Sequence, residues 1–84
     1  MPEVEIGRVS DFFKKPVVAG IELTALLKVG DKVHIKGHTT DQEFTIQSMQ
    51  IDNRDVEEAN AGDSVGVKIK DRARQGDTVY KVIP

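Results

Sequence analysis

No cysteine occurs in the 84 residues, which removes disulfide scaffolds, thiolate metal sites and cysteine nucleophiles together and leaves the compartment unconstrained by redox chemistry. Long apolar runs are also missing: none approaches the roughly 18 residues needed to span a bilayer. The acidic opening Met1-Pro2-Glu3-Val4-Glu5 lacks the basic stretch of a signal peptide. A cytoplasmic protein with no membrane partner is expected. Neither sign of charge predominates, and a formal net charge of −2 is too small to imply an acidic or basic partner by itself.

What is present fits a small, strand-built domain. Apolar residues make up 38% of the chain, as expected if half of each strand faces water, and 31% charged residues favour solubility. One domain over residues 1–84 is expected. At this size a core barely offsets chain entropy, so the strands should close on one another.

The stretch from Leu26 to Met49 is the most informative. Val33 and Ile35 alternate with Lys32, His34, Lys36 and His38, giving one buried and one wet face. Gly37 to Gln42 is rich in turn formers, after which Phe44 and Ile46 resume the period against Glu43, Thr45 and Gln47. That predicts a hairpin. Continuation to Ile51 requires a bulge near Ser48, where Ile46, Met49 and Ile51 break strict alternation.

Around this hairpin, Val4 to Phe13 reads as a first strand, with Val4 and Ile6 on one face and Gly7 at a bulge that hands the inward role to Val9. Phe12 and Phe13 are adjacent and cannot both face the core, so one caps it beside the Lys14-Lys15-Pro16 turn or stands exposed. Val17 to Thr24 is a second strand, and Leu26 and Leu27 pack inward on the approach to Val29-Gly30-Asp31. Asp52 to Ala61 reads as an acidic loop anchored by Val56, or as a single helical turn capped by Asn53 or Asp55. Ser64 to Lys70 is a strand with Val65, Val67 and Ile69 inward, and Gly66 marks a bend or a close approach on the outer face. Asp71 to Gln75 turns, and Thr78 to Ile83 closes the fold.

Gly30-Asp31, Gly62-Asp63 and Gly76-Asp77 each lead, after one residue, into a valine. The spacing is uneven, so this is one turn-into-strand device used repeatedly rather than a repeat architecture. The fold class predicted is all-β, a small closed antiparallel barrel of about six to seven strands.

The run Val17-Val18-Ala19-Gly20, then Leu26-Leu27-Lys28-Val29-Gly30-Asp31-Lys32-Val33, and later Met49 and Ala61-Gly62-Asp63-Ser64-Val65-Gly66-Val67, resembles the second domain of elongation factor Tu and its relatives. Ile35 to Asp41, Ser48 to Ile51 and Val79 to Val82 are similar to small translation elongation factor-like proteins. A similar barrel also ends some collagenase-like peptidases that act in RNA modification. The resemblance implies a closed six-stranded barrel of the translation-factor domain 2 type. There is no G-x-x-x-x-G-K-S/T loop and no N-K-x-D, so nucleotide hydrolysis is not expected. Ser48 and Lys68 stand where the Tu domain has a glutamate and a leucine in the pocket for the aminoacylated end of tRNA.

The chemistry expected is binding, not catalysis. No base is patterned against a hydroxyl, and no cofactor is expected. On one strand His34 and His38 would lie about 13 Å apart, too far for two zinc ligands at about 2 Å from the metal. Two functions remain. Lys32, His34 and Lys36, with Lys68, Lys70, Arg72 and Arg74, would form a basic face contacting RNA or ribonucleoprotein phosphates. Alternatively, Phe12, Phe13, His38 and Asp41, with the acidic loop, would contact a larger protein partner. A plain solvated strand face accounts for the lysines equally well.

Overall fold

A computed structural model describes residues 2–14, 17–70 and 72–83. The turn expected at Lys15 and Pro16 lies outside these residues, as does the start of the turn expected at Asp71. Among the described residues there are ten strands and no helix: β1 (Glu3–Lys14), β2 (Val17–Leu23), β3 (Leu27–Lys28), β4 (Lys32–Lys36), β5 (Asp41–Thr45), β6 (Met49–Ile51), β7 (Arg54–Val56), β8 (Glu58–Ala59), β9 (Ser64–Lys68) and β10 (Thr78–Val82). Eight form one sheet in the order β5-β4-β10-β1-β2-β9-β6-β7, and β3 pairs with β8. Every pairing is antiparallel. No helix is long and apolar enough to cross a membrane.

The all-β expectation holds, whereas the closed barrel of six or seven strands does not. Among the described residues no ladder joins β5 to β7, the two ends of the eight-stranded order. The strand count differs for two local reasons. The chain leaves the sheet at 46–48, so the strand expected to bulge at Ser48 is divided into β5 and β6. Then Asp52 and Asn53 take positive φ (52° and 64°) between the paired Ile51 and Arg54. Two successive left-handed residues form the two-residue turn that suits strand twist, so the expected acidic loop is a hairpin with β8 following it. Val56 packs against the core as anticipated.

Alternation decides the core. Val33 and Ile35 on β4, Val65 and Val67 on β9, and Ile21 and Ala19 on β2 are all buried, with Val79 of β10 beside them. In β1 the register slips between Glu5 and Gly7 against β10, and again between Val9 and Asp11 against β2. The first slip buries both Ile6 and Val9, while Val4 faces solvent, contrary to expectation. The second turns Phe12 toward the core and leaves Phe13 56% exposed. Leu27 is buried, but Leu26 is not.

The Gly-Asp device recurs three times with one set of bonds. Gly30, Gly62 and Gly76 have φ of 98°, 94° and 94°, a region that L side chains enter at a steric cost. Each glycine N–H donates at 2.8 Å to the carbonyl of a buried residue, respectively Ile46, Leu23 and Val9. The N–H of that same residue returns a bond to the carbonyl of Asp31, Asp63 or Asp77, at 2.9, 2.9 and 2.8 Å. Each aspartate carboxylate then accepts the N–H three residues upstream, from Lys28 (2.9 Å), Asn60 (2.9 Å) or Arg74 (2.8 Å). The turn is thus locked internally and clipped to the core.

Gly76→Ala should lower unfolding free energy by about 1–3 kcal/mol, the usual cost of a left-handed non-glycine residue. Asp77→Ala should cost about 1–3 kcal/mol by orphaning the Arg74 N–H. Urea denaturation measures both; wild-type midpoints for the pair would refute the clip.

Candidate interaction surface

Strand β4 places Lys32, His34 and Lys36 on the outer face, as alternation requires. Its neighbour β5 sets Thr45, Glu43 and Asp41 opposite them in register. Carboxylates therefore interleave with the cations. Lys32 Nζ lies 3.3 Å from Glu43 Oε1. His34 donates through Nδ1 to Glu3 Oε2 at 2.6 Å and through Nε2 to Asp41 Oδ1 at 2.5 Å. The Asp41 hydrogen bond, reinforced by Glu3, holds the His34 pKa above its ordinary 6.5 against the opposing effect of burial. The reciprocal bond from His34 holds the Asp41 carboxyl below its ordinary 3.8.

The other expected basic residues lie elsewhere. Lys68 is exposed at the end of β9, with Lys70 just beyond it. In the sheet order β10, β1 and β2 separate β4 from β9, while Thr45, the register partner of Lys32, lines one cavity with Lys68 and Lys70. Lys68 and Lys70, with Phe44 and Ile69, line a cavity of about 430 Å³. Arg72 and Arg74 flank a second cavity of about 300 Å³ beside Thr39, Thr40, Asp41 and Gln42. Gln42 Nε2 donates to the Arg72 carbonyl at 3.1 Å, fastening this segment to β5.

Of the residues expected to meet a protein partner, Phe13 and His38 are exposed, Asp41 is committed to His34, and Phe12 packs against the core. Ser10 Oγ donates to the Gly20 carbonyl at 3.2 Å, and both His34 nitrogens are taken by carboxylates. Among the described residues no group of three acidic or histidine side chains is arranged to hold a metal ion. Sequence reading missed two features. One is Glu3, whose reach to His34 depends on β10 bringing β1 near β4; the other is Gly20 facing Gly66 across β2 and β9. A glycine on each strand was visible, but their register was not.

No protein-family model matches the chain. It is 51% identical over 79 residues to an uncharacterized protease of Methanocaldococcus jannaschii, a match covering 93% of this chain and 19% of that protein. The chain therefore spans less than a fifth of that relative's length. In fold it is similar to the C-terminal domain of a Geobacillus thermoleovorans protein provisionally named a U32 peptidase, with TM-score 0.87 and 16% identity over 93% of this chain and 91% of that one. The selenomethionine variant of that domain gives 0.85 and 15%, over 90% and 96%. GDP-bound aIF5B of Aeropyrum pernix, a translation factor, matches all of this chain with 15% of its own, at TM-score 0.72 and 23% identity.

These likenesses correct the functional expectation. The likeness to a translation factor is one of fold, and the strong sequence match runs to a protein named as a protease. The reading as a translation-associated, RNA-contacting module is overturned. The interleaved carboxylates agree with that correction, since they pair Lys32 and His34, two of the seven residues on which it rested.

The raised His34 pKa has a definite pH consequence. Its stabilising contribution is complete below 6.5 and is lost as pH rises through the folded value, while that of Asp41 is present above 3.8 and is lost as pH falls through its lowered value. NMR titration should place the His34 midpoint above 6.5, and Asp41→Asn should lower it more than Glu3→Gln does. A midpoint indifferent to both substitutions would show that the pairs do not persist in solution.

Proposed function

We propose that this chain is a non-catalytic accessory module of a protease-type enzyme, contacting a larger protein through its outer faces. The observation that carries this reading is the 51% identity over 79 residues to part of an uncharacterized protease. The fold likeness to the C-terminal domain of the Geobacillus protein supports it, because there too the fold belongs to one domain of a named peptidase. The absence of catalytic duty is proposed from geometry: His34 is held between two carboxylates, and Ser10 bonds to a backbone carbonyl. Neither is disposed to generate a nucleophile. The likeness to aIF5B supports the broader view that the same β-module is joined to unrelated partners.

The test is to mix the purified chain with the Methanocaldococcus protease from which the matching segment has been deleted. Sedimentation velocity should show a complex, and the chain alone should leave a casein substrate intact. Casein cleavage by the chain alone would refute the non-catalytic role. Failure to associate with the truncated protease would refute the accessory role.

A further inference from the structure

Two glycines face each other on the outer surface: Gly20 of β2 is the register partner of Gly66 of β9. The same row continues to Asp11 on β1 and Gln50 on β6. The next row is Phe13, Val18 and Lys68. Gly66 thus leaves its outer backbone open, while Ser10 and Asp11 crowd Gly20, and an exposed phenyl ring and a half-buried valine border the row.

The fold accounts for the other glycines, Gly20 included, where a Cβ would lie 3.3 Å from both Asp11 Cβ and Ser10 Oγ. Gly30, Gly62 and Gly76 need positive φ, whereas a Cβ at Gly7 would lie 2.4 Å from the Glu22 carbonyl oxygen and one at Gly37 would collide with the Asp77 carboxylate. Gly66 has neither reason. Its φ is ordinary, and a Cβ there would meet nothing closer than Val18 Cγ1 at 3.6 Å, an ordinary contact. A glycine inside a strand weakens it, and where the fold does not demand one it marks a place that another backbone or a ligand approaches closely.

Charge identifies the occupant. Lys68 lies on this face where β2 and β9 meet, with Lys70 two residues on: Val18 pairs with Lys68, and the Ile69 N–H donates to the Val17 carbonyl, while Lys14 pairs with Val17 and lines a pocket with Phe12 away from the glycine row. Among the described residues none of these lysines has a carboxylate within ion-pairing distance, unlike Lys32 and Lys81. Asp11 stands in the row itself beside Gly20, and Glu22, whose register partner is Arg8, lies one row beyond. A phosphodiester strand running along this row would meet the Asp11 carboxylate. A polypeptide can carry acid at one end only, lay an apolar side chain against Phe13 and Val18, and bring its backbone close to Gly66.

We propose that the Gly20–Gly66 face is the docking site for an extended acidic peptide segment of a protein partner, with Lys68 and Lys70 receiving its carboxylates. This rests on the accessory-module reading above. The direct test titrates the isotope-labelled chain with three probes: a short synthetic peptide alternating aspartate with leucine, its asparagine counterpart, and a single-stranded RNA of equal charge. The acidic peptide should shift the amides of Phe13, Val18, Gly20, Gly66 and Lys68. Gly66→Leu, which fills the floor, and Lys68→Glu, at an exposed position, should each weaken binding about tenfold or more, the loss of one well-placed contact. Both should keep wild-type melting behaviour.

Shifts confined to another face, wild-type affinity in both variants, or tighter binding of the RNA at the same amides would each overturn the proposal. The two readings fail separately. A complex with the truncated protease that ignores both substitutions refutes this face alone. Acidic peptide bound here without any such complex refutes the accessory role alone.

Discussion

Everything in this small fold depends on how a chain with little apolar material fastens its turns to its core. The device is a reciprocal pair of backbone bonds. A left-handed glycine donates to a buried residue, and the following aspartate's carbonyl receives that residue's N–H in return. Used at Val9, Leu23 and Ile46, it ties a turn to β1, to the end of β2 and to the chain just past β5. Main-chain groups left unpaired in so small a core would each incur a desolvation penalty comparable with a lost hydrogen bond. The clips satisfy them, and the aspartate carboxylates satisfy the turn itself.

Because the turns and core are self-sufficient, the outer faces are free to differ. One face, on β4 and β5, is electrostatically closed: Lys32 meets Glu43, and His34 joins Glu3 to Asp41. These exposed pairs contribute little stability individually, yet they set carboxylates against Lys32 and His34 of that face. The other face, on β1, β2 and β9, combines an open Gly66 with an exposed Phe13 and with lysines that have no ion-pairing carboxylate among the described residues. Its chemistry suits protein contact, which agrees with a sequence likeness to part of a protein named as a protease.

Local features were legible from the chain. The alternation of Val33 and Ile35, the inward Val65, Val67 and Ile69, the bulge at Gly7 and the three Gly-Asp turns all follow from short-range rules. Features set by register were not. Whether Lys36 faces a carboxylate depends on which residue of β5 stands opposite it, and whether two basic ladders adjoin depends on the order of strands far apart in sequence. The Asp52-Asn53 turn escaped for a different reason. Neither residue is glycine, so their double positive φ was hidden within an acidic stretch that resembled a loop. The functional misreading had the same origin as the structural one: cations were counted on each strand without the carboxylates that long-range pairing brings against them.

The claim that the clips hold this fold is tested most directly by native-state hydrogen exchange at the amides of Val9, Leu23 and Ile46. Each donates to the carbonyl of a clip aspartate. If the clips hold the core, these three amides exchange only through global unfolding, with protection equal to that of Val33 and Val67 in the central strands. Exchange of the three by local opening, while the central strands stay protected, would contradict the account and make the turns passengers on a sheet held together in another way.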